Sequence, residues 1–370
     1  MTSHWLLGQG FAHAATLGVL IAALPGCGQV VSSPDADQGD GQDASSAPEA
    51  DASLPGDEPD ARGPDAGDEE VELTPEWVEL EPDDPPSPRR NSAITYDPSA
   101  EHILLFGGSD DDSHYDETWT WDGARWDELS PSGSPPGAVL EPVMAYDGSA
   151  EETYLKGSTS GGGAVTETWT WDGSSWTKED DQVLFGGAIA FHATESQMIA
   201  FGSTHLWAGS SWGELDPDVE PSNRFGHAMV YDDAREEILL FGGAFEDIDG
   251  GGILDDTWTW DGETWTEVDG EDNDESSPSA RAGHAMAYHA DLEVVILFGG
   301  SAGSNVFNDT WAWDGQSWTE LEFNETPPPA RADHAMAYSE AHEQMLVFGG
   351  NEGFDTPEFG DTWALVLTDD

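Results

Sequence analysis

The sequence has few basic residues, a single cysteine and no long stretch with helical periodicity. Of its 370 residues, ten are Lys or Arg and 76 are Asp or Glu, which gives a formal net charge of −66. Such a surface repels nucleic acid and anionic membranes, so neither is expected to bind the folded part of the chain. One cysteine excludes an intrachain disulfide, and the lack of helical periodicity argues against a helical fold.

An apolar run near the N-terminus predicts an export signal. Residues 14–24 read AATLGVLIAAL, which suits a signal peptide and is too short to span a bilayer comfortably. The run ends in Leu-Pro-Gly-Cys27, which resembles the bacterial lipobox and implies lipidation of Cys27. Residues 1–27 are therefore predicted to be a lipoprotein-type signal peptide, and the alternative is a cleaved secretory signal. The protein is expected outside the bacterial cytoplasm, as an outer-membrane lipoprotein or secreted, and at a membrane only through the lipid anchor.

Residues 28–70 are dominated by Asp, Ala, Pro, Gly and Ser, as in APEADASLPGDEPDARGPDAGDEE. A segment of this composition has almost no apolar surface to bury. It is predicted to be a disordered acidic linker.

Residues 71–370 consist of repeats of roughly 40 to 57 residues. The best repeats share four segments, exemplified by RAGHAMAY (281–288), VILFGG (295–300), TWAWDG (310–315) and WTEL (318–321). Period-two alternation, aromatic and β-branched residues, and Asp-Gly turns predict that all four are strands. Each repeat is thus expected to form a four-stranded antiparallel sheet.

Three tryptophans recur in the repeats at spacings of two and five. In DDTWTWDGETWTE, Trp258 and Trp260 share one strand face and Trp265 begins the next strand. A small sheet cannot bury two apolar faces alone, whereas a ring of sheets buries each face against a neighbour. We therefore predict that these side chains pack between sheets; the alternative is an exposed aromatic ligand platform.

Four hydrophobic residues, a double glycine and then spaced aromatics resemble the kelch repeat, as does the Arg-x-Gly-His-Ala start of the first strand. The resemblance covers residues 71–370 and implies an all-β, six-bladed kelch-type β-propeller. Six second strands can be counted, at Phe106, Lys156, Phe201, Phe241, Phe298 and Phe348. Blade two lacks the arginine and histidine of the first strand, and blade three is shortened to THLWAGSSWGEL.

The last repeat has no fourth strand before the sequence ends at Asp370. Near the start of the domain, residues 76–82 read EWVELEP, which is similar to the WTELE that finishes a repeat. We predict that this N-terminal strand joins the last blade and closes the ring, since closure removes an exposed sheet edge.

Four arginines are the candidate ligand-binding residues, because they open the first strand in blades that are adjacent around the ring. They are Arg89, Arg224, Arg281 and Arg331. At the channel entrance they would suit an acidic peptide or an anionic sugar. In animal kelch propellers that bind acidic peptides, arginines at this place in the repeat face the ligand, and the resemblance implies the same here. The alternative is that each arginine pairs with a local Asp or carbonyl and holds its own blade.

Three histidines on the same strands, His227, His284 and His334, are expected to line the channel. Histidines on adjacent strands suit a metal, although kelch proteins often carry a structural histidine here. The acidic loops at 109–117, 245–256 and 351–361 are candidates for calcium, but none has EF-hand spacing. No other cofactor is predicted.

The sequence favours a non-catalytic, extracytoplasmic binding module that recognises a protein, a peptide or an anionic saccharide at the channel mouth. It has no evident catalytic triad or phosphate loop. Galactose oxidase activity is not expected, since the cysteine that it requires lies outside the repeats here. A carbohydrate-active enzyme of sialidase or sialic-acid mutarotase type is the alternative, and a structural or adhesive surface protein is a third interpretation.

Overall fold

The computed structural model describes residues 73–159, 166–182, 187–245, 251–268, 277–353 and 356–369. Within these ranges the fold is all-β, with one short 3-10 helix at Glu340–His342. No helix among the described residues is long and apolar enough to cross a membrane. The predicted signal peptide with Cys27 and the predicted linker lie outside the described residues.

Six four-stranded antiparallel sheets form the blades, as predicted. Blade one contains Ala93–Asp97 (β2), His102–Phe106 (β3), Thr118–Trp121 (β4) and Trp126–Glu128 (β5). Blade two contains Val139–Asp147 (β6), Glu152–Thr159 (β7), Thr166–Trp171 (β8) and Trp176–Gln182 (β9). Blade three contains Ile189–His192 (β10), Gln197–Ala200 (β11), His205–Trp207 (β12) and Trp212–Glu214 (β13).

The other three blades follow the same order, from the innermost strand outward. Blade four contains Ala228–Asp232 (β14), Glu237–Phe245 (β15), Gly252–Trp260 (β16) and Trp265–Val268 (β17). Blade five contains Ala285–His289 (β18), Val294–Phe298 (β19), Thr310–Trp313 (β22) and Trp318–Glu320 (β23), and its loop adds Ser301–Ala302 (β20) and Asn305–Val306 (β21). Blade six contains Ala335–Ser339 (β24), Gln344–Phe348 (β25), Thr362–Asp369 (β26) and Leu73–Leu80 (β1).

The ring is closed by the N-terminal strand, as the sequence predicted. Strand β1 pairs with β26 along its whole length, with Trp77 opposite Leu365. The first strands of successive blades pack side by side in cyclic order, including blade six against blade one. Both ends of the propeller are therefore held in a single sheet.

The hydrophobic core is divided among the six interfaces between blades. Trp258, Trp260 and Trp265 are at most 7% exposed and belong to the interface of blades three and four. Their predicted packing between sheets is confirmed.

A tryptophan on the fourth strand of each blade also makes a hydrogen bond to the preceding blade. Its indole Nε1 donates to a threonine hydroxyl on the preceding blade's third strand or, at Thr204, just before that strand. The six pairs are Trp126–Thr362, Trp176–Thr118, Trp212–Thr168, Trp265–Thr204, Trp318–Thr257 and Trp77–Thr310, at 2.9 to 3.3 Å. This tryptophan–threonine ring includes every blade, and Trp77 of β1 completes it.

Candidate functional site

The two ends of the channel carry different residues, because all six innermost strands run in the same direction. The arginine end is where these strands begin, next to Arg89, Arg224, Arg281 and Arg331. The tyrosine end is where they finish, at Tyr96, Tyr146, Phe191, Tyr231, Tyr288 and Tyr338. The sequence directed attention to the first end only.

Each of the four arginines is buried and paired with a carboxylate of its own blade. Arg281 is 0% exposed, and its Nη1 and Nη2 each lie 2.7 Å from an oxygen of Asp309. Arg331 binds Asp361 in the same bidentate way at 2.8 and 2.7 Å. Arg224 binds Asp256, and Arg89 makes a single contact of 3.3 Å with Glu117.

The remaining guanidinium donors are also used within the blade. In all four blades Nη1 donates to the carbonyl of the first residue of the double glycine, at 2.8 to 3.0 Å. Nε donates to the carbonyl two residues earlier, at 2.9 to 3.1 Å. The fifth donor of Arg281, on Nη2, donates to the hydroxyl of Ser279. The planar guanidinium therefore ties three parts of one blade together.

Three of the guanidinium groups also lie against an aromatic ring of the loop after the second strand. The pairs are Arg89–Tyr115, Arg281–Phe307 and Arg331–Phe359, with 4.1 to 4.3 Å from Cζ to the ring centroid. The arginine main chain joins blades as well, since Arg331 N donates to Phe307 O and Gly300 N donates to Arg331 O. These contacts hold the loops on which the arginine end is built.

Burial and pairing affect the ionisation of this network in opposite directions. Burial lowers the pKa of Arg89, and the charge of Glu117 opposes that shift. Burial opposes ionisation of Asp361, but hydrogen bonds and charge from Arg331 outweigh it and hold the pKa of Asp361 below its usual range. The alternative of local pairing is therefore present in all four blades that carry the arginine. Direct contact between these arginines and a ligand stays a prediction.

The three predicted channel histidines are buried between blades. Each ring packs edge-to-face against the second-strand phenylalanine of the preceding blade, in the pairs Phe201–His227, Phe241–His284 and Phe298–His334. Their six ring nitrogens make no hydrogen bond of normal geometry. The carbonyls of Phe201 and Phe241 lie close enough to the rings to favour protonation slightly.

Burial, followed by the charge of the neighbouring arginine, lowers the pKa of His227 and of His334 to about 3 and that of His284 well below its usual value. These histidines are neutral packing residues at neutral pH. Among the described residues, no group of three or more His, Cys, Asp or Glu is placed to hold a metal ion. In the acidic loop at 109–117, Asp110 accepts hydrogen bonds from two backbone N–H groups and from Tyr115 Oη.

A chain of backbone hydrogen bonds joins blades one, six, five and four at the arginine end. Asn91 N donates to Asp333 O, Asp333 N to Gly283 O, and Gly283 N to Gly226 O. All four residues have a positive φ. Burial raises the pKa of Asp333, while Arg90 opposes this shift and Glu141 adds to it.

At the tyrosine end, a cavity of about 290 Å³ lies inside the ring and receives residues from all six innermost strands. Its wall holds the six aromatic residues of that end together with Ile94, Met144, Ile189, Met229, Met286 and Met336. Sequence reasoning missed this cavity. The signal was the aromatic residue at the next-to-last position of every first strand, as in AITYD, AMAYH and IAFH.

The tyrosine hydroxyls are held by the turn that follows the first strand of the preceding blade. Tyr96 Oη and Tyr288 Oη accept hydrogen bonds of 3.2 Å from Ala341 N and Ala234 N. Tyr338 Oη donates to Asp291 at 2.6 Å. The aromatic wall is therefore fixed in place before any ligand binds.

Comparisons with known proteins agree with this architecture. A family model described as the KLHDC2/KLHL20/DRC7 Kelch-repeats domain matches residues 177–370. The solved structure of YjhT is similar, with a TM-score of 0.56 and 12% sequence identity over 78% of this chain and 99% of that chain. It is one of 404 matching chains, so this likeness supports the fold and not a ligand. No curated protein matches the chain.

Proposed function

This chain belongs to the kelch-repeat family of the KLHDC2/KLHL20/DRC7 Kelch-repeats domain, and we propose that its propeller is a non-catalytic binding module that takes its ligand at a channel mouth. The observation that supports this most strongly is the cavity at the tyrosine end. Every blade contributes to its wall, so the site belongs to the closed ring as a whole. Concave, preformed cavities in which a few polar groups orient the ligand are the usual form of a small-molecule site.

The cavity favours the tyrosine end over the arginine end as the ligand site. The four arginines are occupied by their own carboxylates and carbonyls. An acidic peptide or an anionic sugar would have to displace those partners, and removing one member of a buried charged pair costs about 3 to 5 kcal/mol. Recognition through these arginines stays a prediction, as does the carbohydrate-active alternative, which needs them to face a substrate carboxylate.

The proposal includes the extracytoplasmic location. The apolar run and the lipobox resemblance at Cys27 support this location. A Cys27→Ala variant tests the lipid anchor. Loss of partitioning into a detergent phase is expected for that variant, and retention would remove the lipoprotein assignment.

The binding function is tested by thermal shift of the full chain against small molecules that share an apolar body and differ in charge, with acidic peptides and anionic sugars beside them. A ligand at about 100 times its Kd stabilises the folded state by about 2.7 kcal/mol. Thr95 and Val230 lie half-buried on the wall of the cavity, in opposite blades. A Thr95→Phe/Val230→Phe variant is expected to abolish the shift by filling the cavity.

Val219→Phe is the matched control, because Val219 is 55% exposed and lies away from the cavity wall. A shift that survives Thr95→Phe/Val230→Phe and disappears when the four arginines are replaced by Ala would move the site to the arginine end. No shift with any compound, in the native chain, would contradict small-molecule binding.

A further inference from the structure

We propose that the cavity at the tyrosine end binds small organic cations, in which an ammonium group is attached to an apolar body. This inference rests on the proposed function, because it names the ligand class for the same cavity. Three features of that end of the channel support it: the charge of its turns, the backbone conformation of their glutamates, and the use of its hydroxyl groups.

The turns that follow the six first strands place many carboxylates at the tyrosine end of the channel. They comprise residues 97–102, 147–152, 192–197, 232–237, 289–294 and 339–344. Together these turns contain fourteen Asp or Glu residues and one basic residue, Arg235. Every blade contributes at least one exposed carboxylate, and Glu340 lies on the cavity wall itself.

Arg235 offsets only one of these carboxylates, because it pairs with Asp232. It contacts both oxygens of Asp232 and donates to the carbonyls of Glu293 and Asp314. The carboxylates that remain exposed give the mouth a negative potential next to a low-dielectric wall, which concentrates cations.

Five of the six turns place a glutamate at the same left-handed position. Their φ values run from 49° to 57° at Glu101, Glu151, Glu236, Glu293 and Glu343. Glycine or asparagine suits this conformation better than glutamate does. All five glutamates are exposed and lie in turns at the tyrosine end of the channel.

The wall of the cavity suits the apolar part of such a ligand and disfavours an anion. Six aromatic residues and six Met or Ile residues line it, and aromatic rings favour organic cations over anions. The hydroxyl of Tyr338 already donates to Asp291, while Tyr96 and Tyr288 are held by backbone N–H groups. An anion would meet carboxylates at this mouth.

The test compares three probes with the same phenyl body: 2-phenylethylammonium, 2-phenylethanol and phenylacetate. Isothermal titration on the full chain at low salt is expected to show the ammonium probe binding about tenfold more tightly than the alcohol. Phenylacetate is expected to bind most weakly. The difference in affinity between the ammonium and alcohol probes should shrink at about 1 M salt, because screening weakens attraction between exposed charges.

Two charge-matched variants locate the effect. In the first, Gln replaces the five left-handed glutamates Glu101, Glu151, Glu236, Glu293 and Glu343. In the control, Gln replaces five exposed glutamates of the outermost strands, Glu79, Glu128, Glu214, Glu267 and Glu320. The first variant should reduce the contrast between ammonium and alcohol to less than about threefold, and the control should keep it.

The outcomes separate this inference from the proposed function. If the alcohol or phenylacetate binds as tightly as the ammonium probe, the cation preference is wrong while binding in the cavity stands. If both Gln variants behave alike, the preference comes from the overall charge of −66 and not from the turns at the tyrosine end, which also overturns the inference. If no probe binds, the inference is overturned, and the thermal-shift screen decides whether the proposed function fails with it.

Discussion

Blades four to six are stabilised by different residues from blades two and three, although all of them are four-stranded sheets in the same ring. Each of the first group has a buried arginine paired with an aspartate and a histidine packed on the preceding blade's phenylalanine. Blade two has Lys156 where the other blades have phenylalanine, and the third strand of blade three has three residues. Both groups nevertheless keep the bond from tryptophan to threonine.

This difference separates two kinds of support in the ring. The arginine network holds the loops within a blade and can be lost, as blades two and three demonstrate. The tryptophan–threonine ring joins blades to each other and is present at all six interfaces. Four predictions test this division, beginning with the largest expected effect.

Removing β1 should damage the ring most. A chain that begins at Asp84 leaves blade six with three strands and removes Trp77, which is 4% exposed and packs on Phe298. Loss of a buried Trp alone costs about 3 to 5 kcal/mol, and loss of the strand pairing adds to it. Calorimetry should therefore show a much lower Tm than for the full chain, with Trp77→Ala between the two. An equal Tm for all three would refute closure by β1.

Breaking one arginine pair in a regular blade should have the next largest effect. Arg281→Ala leaves Asp309 partly buried without its partner, so the free energy of unfolding should fall by about 3 to 5 kcal/mol. Arg125→Ala is the control, since its side chain is 64% exposed and exposed pairs contribute about 0 to 1 kcal/mol. Equal losses in urea titrations of the two variants would show that the network carries little stability.

Lys156 should make blade two sensitive to alkaline pH. Burial lowers the pKa of Lys156 from 10.5 to about 8, against the opposing charge of Glu141. Below about pH 8 the folded protein carries the full cost of a buried ammonium. Between about pH 8 and 10.5 the unfolded chain binds the proton more tightly, so native stability should rise relative to Lys156→Met by up to about 3 kcal/mol. Urea unfolding of both chains across that range measures the change. A constant difference would show that Lys156 titrates normally.

Single bonds of the tryptophan–threonine ring should contribute least. Thr204→Val in blade three and Thr257→Val in blade four each remove the acceptor for one buried indole N–H. Each should lower the free energy of unfolding by about 1 kcal/mol. Similar losses would confirm that this support is common to both groups of blades. A loss confined to blade four would mean that the tryptophan–threonine bond contributes no stability at the short blade.

The sequence was sufficient for the blades, their strands and the closure, because repetition exposes the strand pattern and because a missing fourth strand can be matched to one near the start. It also placed the four arginines at equivalent positions. It could not decide between ligand contact and local pairing. That depends on whether Asp309 and its equivalents, some 28 to 32 residues further along the chain, meet the guanidinium.

The cavity was harder to predict for a different reason. Tyr288 of one repeat is an ordinary strand residue, and it becomes part of a wall only when six repeats converge on one axis. The pairing of Tyr338 with Asp291 in the neighbouring blade cannot be derived from the pattern within a single repeat. Repetition reveals secondary structure, whereas sites between repeats depend on the geometry of closure.

Closure through β1 also sets an order of events during synthesis. Residues 73–80 are made before the other strands of the propeller, and their partners in β26, residues 362–369, are made after them. Domains generally fold as the chain emerges from its N-terminal side, yet this first strand must wait unpaired for nearly the whole propeller. A chain interrupted anywhere before β26 leaves blade six open and the tryptophan–threonine ring broken. The ring is therefore complete only once β26 has been made, since the first and last strands of the propeller pair with each other.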